Sequence, residues 1–202
     1  MPQDFSKDYS ENFKLIDNAL RVDASFDIVC RNIFFAQKRA RLYFVDGLVK
    51  DDAMIKIIQG LQNIKPEALK EATDTRSFVN HFIGYIETDV TGSLETVVTF
   101  VLSGAICLIV EGYEQAIIID ARTYPARGVD EPENDKVLRG AHDGFTETLI
   151  FNTALIRRRL RNPQLTVKYM SVGTKSHTDV VLCYIEDKVD KKALKKLEDK
   201  IG

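Results

Sequence analysis

Apolar positions along this chain switch repeatedly between a strand-like and a helix-like rhythm, and the switches fall at turn residues. Arg41 to Val45 (RLYFV) is a β-rich run that stops at Asp46-Gly47, a turn signal. Asp51 or Asp52 then offers an N-cap for a helix through Leu61, with Met54, Ile55, Ile58 and Leu61 as its apolar stripe. Pro66 suits the first turn of a short helix reaching about Ala72, and Arg76 to Phe82 reads as another with Phe78, Val79 and Phe82 inward. Ile83 to Val90 reads as a strand ending at Gly92. Ser93 starts a helix through Leu102, with Leu94, Val97, Val98 and Val101 at helical spacing, and Gly104 stops it. Ile106–Val110 and Gln115–Ala121 are continuous apolar strands joined by Glu111-Gly112-Tyr113-Glu114, hairpin punctuation between two buried strands. Strands apolar on both faces, alternating with helices, predict an α/β fold in which helices cover the sheet.

The rhythm breaks from Arg122 to Asp143, which carries two of the five prolines and few large apolar residues. Beyond it, Phe145 to Arg161 is predicted as a helix, with Asp143 as N-cap and Glu147 near the positive end of the helix dipole. Arg157, Arg158, Arg159 and Arg161 sit at the negative end, Leu149, Thr153, Ile156 and Leu160 form the inward stripe, and Asn162-Pro163 ends the helix. Leu165–Val172 and Asp179–Glu186 are predicted strands, and Asp190 caps a final helix with Leu194, Leu197 and Ile201 on one side. The expected organisation is two small α/β subdomains, each a mostly buried sheet flanked by helices. The first spans 1–122 with a polar N-terminal extension over 1–24, a polar connector spans 123–144, and the second spans 145–202. Two strands and two helices make a thin core, so the second unit is expected to lean on the first or to continue beyond Gly202.

Composition narrows the chemistry. With 45% hydrophobic and 29% charged residues, 202 residues can bury a core without staples. Acidic residues number 30 and basic ones 28, so no global field recruits nucleic acid or an anionic membrane. Cys30, Cys107 and Cys183 are far apart and set among apolar neighbours, which predicts buried, reduced thiols. The N-terminus lacks the apolar core of a signal peptide, and the stretch Val97–Val110 is too short to span a bilayer.

Candidate sites reduce to one. His142-Asp143 has no activated nucleophile beside it, and Asp143 serves better as a cap. Asp130, Glu131, Glu133 and Asp135 lack the turn glycine and terminal glutamate of a calcium loop. Gly173-Thr174-Lys175-Ser176 echoes a phosphate loop but lacks its upstream glycine and precedes a strand, so it reads as a β-turn. The arginines at 157–159 fan around their helix with no aromatic stacking platform, which argues against nucleic acid. Beside a solvated helix end, the favoured reading pairs them with the acidic loop or a neighbouring subunit. No catalytic, metal or cofactor site is expected.

Longer motifs carry a family resemblance. Pro125-Ala-Arg-Gly-Val-Asp-Glu-Pro, Arg139-Gly-Ala-His-Asp-Gly-Phe-Thr-Glu-Thr and Asn152-Thr-Ala-Leu-Ile-Arg-Arg-Arg-Leu-Arg closely resemble the GerA family of spore germination proteins. Phe44-Val-Asp-Gly-Leu-Val-Lys-Asp, Leu102-Ser-Gly, Val110-Glu-Gly-Tyr-Glu, Val172-Gly173, Lys175 to Asp179 and Tyr184-Ile185 fit as well, so the resemblance covers roughly residues 25 to 200. The form Arg122-x-Tyr-Pro-x-Arg-Gly points to a branch apart from the nutrient-receptor A subunits. The resemblance implies a soluble region of two α/β subdomains ahead of a multi-span membrane domain, on the cytoplasmic, spore-core side of the spore inner membrane. It also implies partners: other germination membrane-protein subunits, or self-association through the absent membrane domain. This region itself is not expected to insert into the bilayer. Its implied role is assembly and signal coupling for germination-associated ion release. The alternative is a small-molecule ligand-binding module with a cleft between the two subdomains. The residues expected to make inter-subdomain or inter-subunit contacts are Arg122, Arg127, Glu131, Arg139, Asp143, Glu147, Asn152, Arg157, Arg158 and Arg159.

Overall fold

The computed structural model describes residues 4–124 and 144–201. Helix α1 (Tyr9–Leu20) leads into strands β1 (Ile28–Phe35) and β2 (Lys38–Val45), then helices α2 (Asp51–Gln62) and α3 (Thr75–Phe82). Strand β3 (Thr88–Thr91), helix α4 (Leu94–Leu102) and strands β4 (Ile106–Val110) and β5 (Ala116–Ile119) complete a first unit. The second contains helix α5 (Leu149–Arg159), strands β6 (Leu165–Val172) and β7 (Thr178–Ile185), and helix α6 (Lys191–Ile201).

The first five strands form one sheet in the order β1-β2-β4-β5-β3, antiparallel at every neighbour pair. Side-chain alternation divides its interior into two cores. Leu42, Ile106, Leu108 and Ile117 face Ile57, Leu61 and Phe78 of α2 and α3. Tyr43, Val45, Cys107, Ile109 and Ile118 face Ile16 and Leu20 of α1 and Val97 and Val101 of α4. Every residue of β4 and β5 is buried because both faces of the sheet are covered, which is why these strands read as unbroken apolar runs. The fold is mixed α/β with helices on both faces, as the alternation of rhythms implied.

Several local expectations shift. Residues 1–24, read as a polar extension, contain α1, whose core face is the spaced set Tyr9, Asn12, Ile16 and Leu20. Asp8 caps it, accepting from Ser10 N at 2.7 Å and Glu11 N at 3.3 Å. In α2 the N-cap is Lys50, without a side-chain cap bond, and Asp51 and Asp52 fill the acid-favouring first turn instead. The buried stripe is Ala53, Ile57 and Leu61, which turns Ile55 outward at 54% exposure. The strand expected over 83–90 is confined to Thr88–Thr91; Ile83 instead closes α3, and Ile86 lies at the surface.

Strands β6 and β7 form a separate antiparallel pair, from Leu165↔Ile185 to Val172↔Thr178. Within β6 only Leu165, Thr166 and Val167 are buried. Gly173, at φ +86°, opens the loop from 173 to 177, so the residues that echo a phosphate loop make a strand connection. Asp190 caps α6, accepting from Lys192 N at 2.8 Å and Ala193 N at 3.2 Å. Of the three free thiols only Cys107 is fully buried; Cys30 is half-buried and Cys183 is exposed.

Candidate interaction site at the junction of the two sheets

Helix α5 docks on the first unit through its small residues. Ala154 is fully buried in the core that α1 and α4 share with the sheet. The turn after β2 makes room for it. At Gly47, φ is +78°, and an added Cβ would lie 2.9 Å from Ile150 Cγ2 and 3.1 Å from Ala154 Cβ. The buried face of α5 is Thr153, Ala154, Leu155 and Arg157, a rotation away from the expected stripe of Leu149, Thr153, Ile156 and Leu160. Leu160 is instead 47% exposed. The cause is a charged residue that turns inward.

Arg157 is wholly buried, and so is its partner Asp27. Arg157 Nε donates to Asp27 Oδ2 at 2.7 Å and Nη2 donates to Oδ1 at 3.0 Å, a two-point grip between residues 130 positions apart. Nη2 also donates to Leu165 O at 3.0 Å and Ser25 Oγ at 3.2 Å, and Nη1 donates to Asn162 O at 2.9 Å. Ser25 Oγ donates to Asp27 Oδ1 at 2.7 Å and accepts from Val167 N at 2.9 Å. Satisfying both ions so fully is what makes their burial tolerable, since an unpaired buried charge costs several kcal/mol.

Neighbouring contacts extend the clasp. Phe26 N donates to Val167 O at 2.8 Å, and the Phe26 and Tyr169 rings stack at 5.2 Å. Arg21 Nη1 donates to Thr166 Oγ1 at 3.1 Å and Pro163 O at 3.2 Å, and Nη2 lies 3.4 Å from Glu186. The start of β1 and the end of α1 are thereby tied to the whole base of the second hairpin.

The other residues expected at contacts sort into distinct environments. Arg122 pairs with Asp120 and reaches Ser103 Oγ at 3.3 Å, within the first unit. Its guanidinium holds the Asp120 carboxyl below the usual carboxylate range. Arg158 lies over the ring of Tyr124 at 4.3 Å, and Tyr124 in turn donates to Ser103 O at 3.0 Å. Arg159 and Glu147 are exposed. Asn152 pins the entry to α5: its Oδ1 accepts from Thr146 N and its Nδ2 donates to Thr146 O, both at 2.7 Å. The N-cap position is Thr148 and not Asp143. Asp143 lies outside the described residues, as do Arg127, Glu131, Arg139 and the acidic run at 130–135. Asn152→Ala removes both hydrogen bonds to the Thr146 backbone and is expected to cost about 1–2 kcal/mol in a urea titration, with m unchanged.

Reading the sequence for charge partners missed Asp27 and Ser25. A Thr153-to-Arg157 spacing of one turn was the available signal, together with a lone acid between Phe26 and Ile28. A concavity of about 340 Å³ is lined by Gly144, Phe145, Leu155, Ile156 and Arg159. A concavity of about 520 Å³ lies elsewhere, within the first unit, lined by residues of α2 and by Asn80 to Tyr85. Among the described residues, no helix is long and apolar enough to cross a membrane and no cluster of three or more acidic, His or Cys side chains is placed to hold a metal.

This arrangement of two α/β units is a fold with a solved counterpart. The N-terminal domain of the A subunit of the Bacillus megaterium spore germinant receptor GerK3 superposes with a TM-score of 0.73 at 21% identity, covering 100% of this chain and 73% of that one. The chain belongs to the Bacillus/Clostridium GerA spore germination protein family, whose profile matches residues 14–202. It is 36% identical over 198 residues to Stage V sporulation protein AF of Bacillus subtilis, covering 96% of this chain and 39% of that protein. It is 35% identical over 109 residues to the membrane protein YfkQ of the same organism, covering 54% of this chain and 21% of that protein. The chain therefore spans well under half the length of these relatives.

Proposed function

We propose that this chain is a non-catalytic assembly and signal-coupling module of a spore germination membrane protein, acting in germination-associated ion release. In this reading it lies on the cytoplasmic, spore-core side of the spore inner membrane and contacts other germination subunits. Membership of a spore germination family supports this setting. The observation that carries the mechanism is the buried Asp27–Arg157 grip, which joins segments 130 positions apart. A junction held by a charged, many-bonded side chain passes a displacement of one unit to the other, because sliding would strand two buried ions. Exposed Glu147, just before α5, and Arg159, its last residue, then serve as contacts to neighbouring subunits, together with the motif residues Arg127, Glu131, Arg139 and Asp143.

Fractionation of sporulating cells with an antibody raised to this chain tests the setting. The expected result is a species much heavier than 22.9 kDa in the spore inner-membrane fraction. A soluble species of this chain's own mass would overturn it and send attention to ligand screening.

A further inference from the structure

The α5-to-α6 segment repeats the element order of the α1-to-α2 segment and several of its hydrogen bonds. In each, the fourth helical residue is an asparagine reaching back six positions: Asn12 to Ser6 at 2.7 and 2.9 Å, Asn152 to Thr146 at 2.7 Å twice. Each helix leads into a hairpin of two eight-residue strands that starts and closes on matching pairs, Ile28↔Val45 and Leu165↔Ile185. Just outside the strands, Asp46 N donates to Asp27 O at 2.8 Å, and Glu186 N donates to Gln164 O at 2.8 Å. Leu48 N donates to Val45 O at 3.2 Å, and Lys188 N donates to Ile185 O at 3.0 Å. Side chains follow: Leu42, Val45, Val49, Ala53 and Ile57 are matched by Leu182, Ile185, Val189, Ala193 and Leu197, each 140 positions later.

What differs is the outer edge. Strand β2 carries β4 there, from Ala40↔Val110 to Tyr43↔Cys107. The same positions on β7 are Val180 to Cys183, and among the described residues β6 alone pairs with them, so no strand lies on the edge away from β6. Cover is missing too. Tyr43 is fully buried, whereas Cys183 in the matching place is exposed; Ile57 is 8% exposed, whereas Leu197 is 46%. A free edge of apolar residues leaves backbone donors and acceptors unmatched and invites pairing.

We propose that α5–β6–β7–α6 is a second copy of the first unit's opening half, and that Val180–Cys183 is the docking edge for an apolar β-strand. The strand is supplied by the same polypeptide after α6 and lies antiparallel, as β4 lies on β2. The source follows from the repeat, because in the first unit the covering strand arrives after α2, within residues 63–121. Relatives have length for it: the chain covers 39% of Stage V sporulation protein AF and 73% of the GerK3 domain. The inference stands independently of the coupling role.

Hydrogen exchange and thiol alkylation test it together. The 202-residue chain is compared with the same chain carrying the segment that follows the matched region in Stage V sporulation protein AF. The expected result is amide exchange at Val180–Cys183 and iodoacetamide labelling of Cys183 each slowed by about tenfold or more in the extended chain. Amides of Leu165–Val167, which are buried against the first unit, report in both chains that the hairpin is folded. Equal exchange and labelling in the two chains, with Leu165–Val167 protected in both, would overturn the proposal. So would protection of β7 in the 202-residue chain that rises with its concentration, because the edge would then belong to a second copy. If the fused relative's segment leaves Leu165–Val167 unprotected, the same comparison is made with Stage V sporulation protein AF itself, cut after its own counterpart of α6.

Discussion

Arg157→Ala is expected to lower the unfolding free energy by about 3–5 kcal/mol, read as a fall in the urea midpoint. The magnitude follows from what is left behind. Asp27 is fully buried and would lose both guanidinium bonds, keeping only the Ser25 hydroxyl. The carbonyl of Leu165 would lose its guanidinium donor as well, and that of Asn162 would keep only Leu165 N. Asp27→Ala should cost a similar amount, for the mirror reason. Replacing both partners by apolar residues of like volume, Asp27→Leu with Arg157→Met, should recover most of the loss, because no ion then remains buried alone. A double substitution as damaging as the sum of the singles would mean that the network matters for shape and not for charge compensation.

Gly47→Val is expected to be the next most damaging change, at about 2–4 kcal/mol. Two costs add. The residue sits at φ +78°, where a β-branched side chain is strained. The first added carbon would also fall 2.9 Å from Ile150 and 3.1 Å from Ala154, forcing α5 off the first unit. Gly60→Ala is the matched control: nothing lies within 4 Å of its added Cβ, and it occupies the interior of α2. That change should stabilise by about 0.5–1 kcal/mol. Thermal or urea unfolding of the two variants side by side separates local crowding at the junction from a general effect of glycine loss.

The parts of the fold that were legible are those where one physical signal dominated. Strands β4 and β5 announced themselves because burial on both faces leaves only apolar residues. Helix α4 did so through Ser93 as cap and Gly104 as stop. Helix α1 was hidden because its core face includes Asn12, and its polar flank dominates the composition. Strand β1 was hidden by Arg31 and Asn32 in the middle of its apolar run. At the junction, the arginine cluster was visible but its partner was not. Asp27 lies 130 positions upstream, and nothing local links a lone aspartate to a distant guanidinium. The repeat escaped notice because its two hairpins have connections of different length, so their first strands fall out of step with the rest.

Germination-associated ion release is the most direct readout of the coupling account. Spores would carry the full-length protein with Arg157→Ala, or with Asp27→Leu and Arg157→Met together, at matched amounts in the inner-membrane fraction. The account predicts slowed release with Arg157→Ala and near-normal release with the apolar pair, which keeps the junction closed without its ions. Release at the unsubstituted rate from Arg157→Ala spores would contradict it.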